Sequence, residues 1–212
     1  MDDEDIEIHS VSHLTIQYQS ETVACSSHFP NVTKLTLICN YLGSNGPFIS
    51  DVGRIVPLTQ LKSLVIDEQD ICISQLIEIL SFSPNIHSLK FSSMFFLDFH
   101  PLSIEQTEMV RQISMKNKIT ELTLGYRCTL EHLHFFVDLC PRLQRLTIGI
   151  HETLFESILK FLLPNKALNL FLLSLLYTND EAMKKIQTII NCEKLLENYS
   201  IELVNKEIHL WW

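Results

Sequence analysis

The sequence predicts an α/β solenoid: parallel strands on a concave face, helices on a convex face, and a β-hairpin capping the C-terminal end. Three observations predict it. One short apolar pattern returns along the chain, its spacing is regular, and between its copies the hydrophobic period lengthens to that of a helix.

The pattern is an apolar residue followed by apolar residues three and five positions later. Its copies are Val11, Leu14, Ile16; Val32, Leu35, Leu37; Leu61, Leu64, Ile66; Ile86, Leu89, Phe91; Ile119, Leu122, Leu124; and Leu143, Leu146, Ile148. Two weaker copies follow at Leu168, Phe171, Leu173 and at Leu196, Tyr199, Ile201. The first positions stand 21, 29, 25, 33, 24, 25 and 28 residues apart. Each copy reads as a short strand whose alternate side chains point into the core while their neighbours face outward.

Between strands, Ile73–Phe82 places Leu76, Ile77, Ile79 and Leu80 on one helical face, and Leu130–Leu139 does so with Leu130, Leu133, Phe136 and Val137. Capping-box spacing predicts helix starts at Ser103 with Gln106, Thr153 with Glu156 and Thr178 with Glu181; Pro84, Pro141 and Pro164 predict stops. The long interval from Ile86 to Ile119 holds Phe99, His100, Pro101 and Leu102, read as an inserted rim loop. Residues 199–203 and Glu207–Trp211 alternate around Asn205 and Lys206, which suits a tight hairpin turn. That hairpin would cover the open end of the stack. No glycine/serine linker or charge block divides residues 1–212, so a single domain is expected.

A chain of 212 residues that is 46% hydrophobic can bury a sizeable core. With 25 acidic against 16 basic residues, its net charge of -9 repels polyanions and argues against nucleic acid as a partner. Residues 1–7 are acidic, unlike an export or mitochondrial leader. The most apolar window, 168–177, is about half of the roughly 20 residues needed to cross a bilayer, so it reads as a buried element and no membrane is implied. Six cysteines without a C-x-x-C pair read as reduced thiols. The expected compartment is the cytoplasm, with the nucleus also open to the chain.

The stretch Val32, Leu35, Leu37, Asn40, Leu42 fits L-x-x-L-x-L-x-x-N-x-L and resembles the leucine-rich-repeat family. Elsewhere the asparagine site holds Gln19, Gln69, Met94, Arg127 or His151, so the resemblance implies an irregular member without a regular amide ladder. The lead-ins Phe29-Pro30-Asn31, Ser83-Pro84-Asn85 and Cys140-Pro141-Arg142 resemble the C-P-x-L units of F-box leucine-rich-repeat proteins. That resemblance implies substrate recognition in a cullin-RING ubiquitin ligase, with an F-box gripping the ligase adaptor. No Leu-Pro-led helical segment precedes Leu14, so an adaptor partner is expected only if an F-box lies upstream.

Catalytic constellations are not legible. Five glycines form no phosphate-cradling loop, His132 and His134 fall on different helical faces, and no H-E-x-x-H occurs, so no cofactor, metal or catalytic residue is expected. Cys140 near His134 could be drawn as nucleophile and base, yet Cys140 occupies a lead-in where a buried thiol is expected. Alternation instead predicts an outward row whose central column is Thr15, Thr36, Val65, Lys90, Thr123 and Thr147. The candidate partner-binding residues are His13, Lys34, Lys90, Glu121, Tyr126 and Arg145, with Trp211 and Trp212 as a second candidate, since aromatic and arginine side chains dominate interface energetics. The expected role is a non-enzymatic protein-interaction module recognising an F-box ligase substrate. A free-standing scaffold or inhibitor is the alternative, and an α/β enzyme the third.

Overall fold

The structure, a computed structural model, describes residues 9–18, 27–39, 48–67, 73–93, 103–164, 169–176 and 178–212. It is α/β with mostly parallel strands, and the chain divides into two compact units, Met1–Ile119 and Thr120–Trp212. The first unit orders β1 (His13–Tyr18), β2 (Lys34–Cys39), β3 (Ser63–Ile66) and β4 (Ser88–Ser93) in chain sequence, with β1 to β4 pairing parallel. Helices α1 (Phe48–Ile55), α2 (Ile73–Phe82) and α3 (Ile104–Lys116) follow β2, β3 and β4, and α2 packs on both of the others.

In the second unit, β5 (Glu121–Tyr126), α4 (Leu130–Leu139), β6 (Arg145–Ile148), α5 (Phe155–Leu162), β7 (Leu172–Leu175) and α6 (Asp180–Cys192) precede the hairpin strands β8 (Ser200–Val204) and β9 (Glu207–Trp211). Their order is β5-β6-β7-β9-β8: β9 pairs antiparallel with β7, and β8 is left with one neighbour.

The apolar triads do what their spacing predicts. From Val32 to Ile148, the five complete triads are at most 2% exposed, whereas Leu14 in the first strand is only half-buried. A repeated backbone device sets the register. Ser12 O accepts from the N–H groups of Thr33 and Lys34, Thr33 O from Lys62 and Ser63, and Lys62 O from His87 and Ser88; in the second unit Thr120 O serves Gln144 and Arg145, and Gln144 O serves Phe171 and Leu172. One carbonyl thus receives two successive donors of the next strand each time, fixing the side-chain alternation. Asn31 Nδ2 donates to His9 O and Asn85 Nδ2 to Thr59 O, both at 2.8 Å, so two of the Pro-Asn lead-ins tie back to the preceding repeat.

The seventh copy departs from expectation. Leu146 and Ile148 pair with Leu173 and Leu175, so the buried triad is Leu170, Leu173, Leu175 and not Leu168, Phe171, Leu173. Phe171 is 42% exposed. The sequence from Leu168 to Leu175 satisfies the pattern in either frame, and the ladder with β6 selects one. The eighth copy is not a further parallel repeat, because Ile201 lies in the hairpin.

Helix limits follow their signals: α2, α4 and α5 each end two residues before Pro84, Pro141 and Pro164. Ser103 and Gln106 form the expected capping box. The other two start signals are displaced. Asn179 caps α6, while Thr178 donates from its N–H and Oγ1 to Lys206 O, anchoring the hairpin turn; α5 begins without a side-chain cap after a short 3-10 turn opened by His151. In that turn Asn205 and Lys206 have φ of 51° and 67°, the left-handed pair that matches strand twist in a two-residue hairpin. The expected rim loop around Phe99 lies outside the described residues, as do Asn40, Gln19, Gln69 and Met94.

Ser83, at the lead-in position that Cys140 fills in the second unit, is 1% exposed, and its Oγ has no hydrogen-bond partner among the described residues. A buried unpaired hydroxyl costs about 1–3 kcal/mol of desolvation. Ser83→Ala is therefore expected to raise unfolding free energy by roughly 1 kcal/mol; a urea titration showing a loss instead would mean that the hydroxyl is engaged.

Candidate interaction surface

The outward positions form rows, each unit carrying its own. In the first unit, register aligns His13, Lys34, Ser63 and Ser88, and beside them Thr15, Thr36, Val65 and Lys90. His13 Nε2 lies 3.0 Å from Thr36 Oγ1, a diagonal cross-strand contact. Lys34 and Lys90 are exposed, on different rows and two strands apart, so they do not form one cluster.

In the second unit the first row runs Glu121, Arg145, Leu172, Trp211, Ser200, and the second runs Thr123, Thr147, Ser174, His209, Glu202. Arg145 Nη1 and Glu121 Oε1 are 3.1 Å apart, with both side chains about half exposed. Such a pair contributes about 0.2–1 kcal/mol and leaves the guanidinium donors largely open. Tyr126, 59% exposed, ends β5 on the opposite alternation from Glu121 and Thr123, just before Arg127 turns the chain with φ 67°. It therefore lies outside the outward rows in which the sequence placed it.

Arg145 thus stands beside Leu172, with Trp211, 37% exposed, next in the row. Leu172, Ser174 and His209 were not legible as one surface, because the hairpin's second strand had first to be placed against β7. Ser174 Oγ is 2.8 Å from His209 Nδ1, and His209 Nε2 is 3.9 Å from Glu207 Oε2. The trio contains the residue types of a hydroxyl–imidazole–carboxylate relay. However, Ser174 is 5% exposed and the outer separation exceeds hydrogen-bond length, so the hydroxyl is a cross-strand partner shielded from substrate.

Of the described cysteines, Cys128 and Cys140 are committed to packing and Cys192 is exposed. Cys140 is fully buried, and burial pushes its thiol up; Cys128, 2% exposed, is pushed up to about 12 for the same reason, which disfavours thiolate chemistry. The His134 ring packs on Phe161, with centroids 3.9 Å apart. Among the described residues no group of three or more His, Cys, Asp or Glu is placed to hold a metal ion, and no described helix is long and apolar enough to cross a membrane.

His132 has a structural duty that sequence patterning missed, since histidine is outside the usual capping-box pair. It occupies the third position of α4, where Nδ1 accepts from Thr129 N–H at 3.1 Å while Thr129 Oγ1 accepts from His132 N–H at 3.2 Å. The acceptor role requires an unprotonated Nδ1. Burial lowers the imidazole pKa from its ordinary 6.5, with Glu131 opposing weakly. Because the folded pKa lies below the unfolded one, the unfolded chain binds more protons between them; this stabilisation is complete above about pH 6.5 and is lost as pH falls through the folded value. Stability between about pH 7.5 and about pH 5 should therefore drop less in His132→Gln than in the native chain, as urea titrations at both pH values would register.

Compared with known proteins, the chain matches no family model and none of the curated proteins. Its class rests on its own architecture, a repeat-like α/β fold built from strand-and-helix units.

Proposed function

We propose that this chain is a leucine-rich-repeat solenoid, with strands on its concave and helices on its convex face, that binds another protein and catalyses no reaction. The contact face is the outward side of its strands. One observation carries this reading: Arg145, Leu172 and Trp211 occupy adjacent strands in one row, combining a guanidinium with open donors and an indole, the residue types enriched among interface anchors, with an apolar leucine between them. Lys34, Lys90 and His13 supply polar contacts on the first unit's outward rows. Strand order that follows the chain within β1 to β4 and within β5 to β7 favours this reading over a doubly wound enzyme, which places its crevice at a reversal of strand order.

The more specific form is substrate recognition for an F-box-type ubiquitin ligase in the cytoplasm or nucleus. It is supported by the proline lead-ins, which sit just beyond the ends of α2 and α4 as repeat junctions. Affinity purification from native cells with wild-type chain and with Arg145→Ala tests both levels. Arg145→Ala should change unfolding free energy by no more than about 1 kcal/mol. A protein retained by the wild type and lost from this stable variant supports the face. Equal retention by both sinks it. Adaptor and cullin among the retained proteins support the ligase form, whereas a stable complex lacking them leaves a scaffold or inhibitor.

A further inference from the structure

The outer edge of β8 is open. In its two-residue hairpin, Val204 and Glu207 form the closing pair, so the hydrogen-bonded pairs with β9 are those of Val204, Glu202 and Ser200. Ile201 and Leu203 consequently direct their N–H and C=O groups away from β9. Among the described residues none of these four groups has a backbone or side-chain partner. Of the features by which edges are protected, the strand has the Glu202 charge, but Ser200–Val204 contains no proline or lysine, and its register with β9 has no bulge. Beside its first residue an open groove of about 420 Å³ is lined by Glu197, Asn198, Tyr199, Ser200, Trp211 and Trp212.

We infer that this edge is a docking site for an extended segment of a partner protein that adds a strand to β8 and carries arginine or lysine at alternate positions. One basic side chain faces Glu202, and the next, two residues along, enters the groove over Trp211 beside Glu197. Backbone pairing supplies affinity in such strand addition, and alternate side chains supply selectivity. The charge of the edge selects the occupant. Among the described residues Glu202 and Glu197 have no ion-pair partner and Glu207 has His209 at 3.9 Å; the basic residues in 193–212 are Lys194, Lys206 and His209, the last being the cross-strand neighbour of Glu202. A guanidinium over an indole face gains a cation–π contact as well. The β8 edge of a second copy does not fit as well, since β8–β8 pairing that preserves the alternation sets Glu202 against Glu202, Ser200 or Val204 and not against a base.

Trp211 and Trp212 are the chain's two tryptophans, so intrinsic fluorescence reports on this groove directly. The test titrates the full chain with a blocked pentapeptide alternating valine and arginine, and follows amide exchange at Ile201 and Leu203. A saturable fluorescence change with slowed exchange at both amides is expected, with Glu202→Lys binding roughly tenfold more weakly. An unsaturated response, or equal affinity for the glutamate analogue, overturns the inference. Concentration-dependent dimerisation that slows the same two amides without peptide also overturns it, because the occupant is then a second copy. Arg145→Ala should leave this binding unchanged, because the edge site shares only Trp211 with the Arg145, Leu172 and Trp211 row.

Discussion

Leu146→Ala is expected to lower the unfolding free energy by about 2–5 kcal/mol, the range for truncating a buried leucine. Leu146 is fully buried in β6 and sits in register with Leu122 on one side and Leu173 on the other; Leu210 of β9 continues the row. Three ladders hold those strands at their usual spacing of about 4.8 Å, so neighbouring leucines cannot close over the missing atoms. The cost should fall in the upper half of the range because a rigid cavity is retained. Thr123→Ala, one position out of phase and half-exposed, should stay within about 0.5 kcal/mol. Urea denaturation of the pair measures the inward and outward assignment directly, and equal losses would show it to be wrong.

Gly149→Ala should cost about 1–3 kcal/mol, the penalty for inserting atoms where packing has no room. A Cβ at Gly149 would lie 2.9 Å from Gly125 O and 3.0 Å from Gly125 C. Both are backbone atoms, so no side chain can swing aside. The residue is also pinned: its N–H donates to Leu124 O at 2.8 Å and its carbonyl accepts from Cys128 N–H at 3.4 Å. Gly53 provides the contrast, because a Cβ there meets only Leu58 Cδ1 at an ordinary 3.7 Å. Inside α1, Gly53→Ala should stabilise by up to about 1 kcal/mol through helix propensity. Opposite signs for the two glycine substitutions in thermal melts are the expected result; a neutral Gly149→Ala would mean that β5 and β6 can separate freely.

Much of this architecture could be read from residue order because the signals are local. An apolar residue followed at three and five positions makes a strand with one buried side, and leucine-rich helical faces such as 73–82 and 130–139 must pack on it. Helix α1 was harder to see, since Gly53 interrupts a short segment whose buried positions are Ile49, Val52 and Ile55. Of the binding candidates, Glu121 and Arg145 meet across strands as their equal phase implies, while Tyr126 falls on the other phase and Lys34 and Lys90 stay separate. The pairing of Gly125 with Gly149 carried a detectable clue, two glycines one repeat interval apart.

Residue order alone thus settled which side chains are buried in most strands, where α2 and α4 run, where α3 begins and that a hairpin closes the chain, because each depends on a pattern within one segment. It could not choose between two frames in the leucine-rich run around Leu172, nor decide which hairpin strand pairs with β7, nor set Ser174 against His209. Those outcomes depend on hydrogen-bond ladders between segments distant in the chain, and a ladder selects among alignments whose local patterns are equally good.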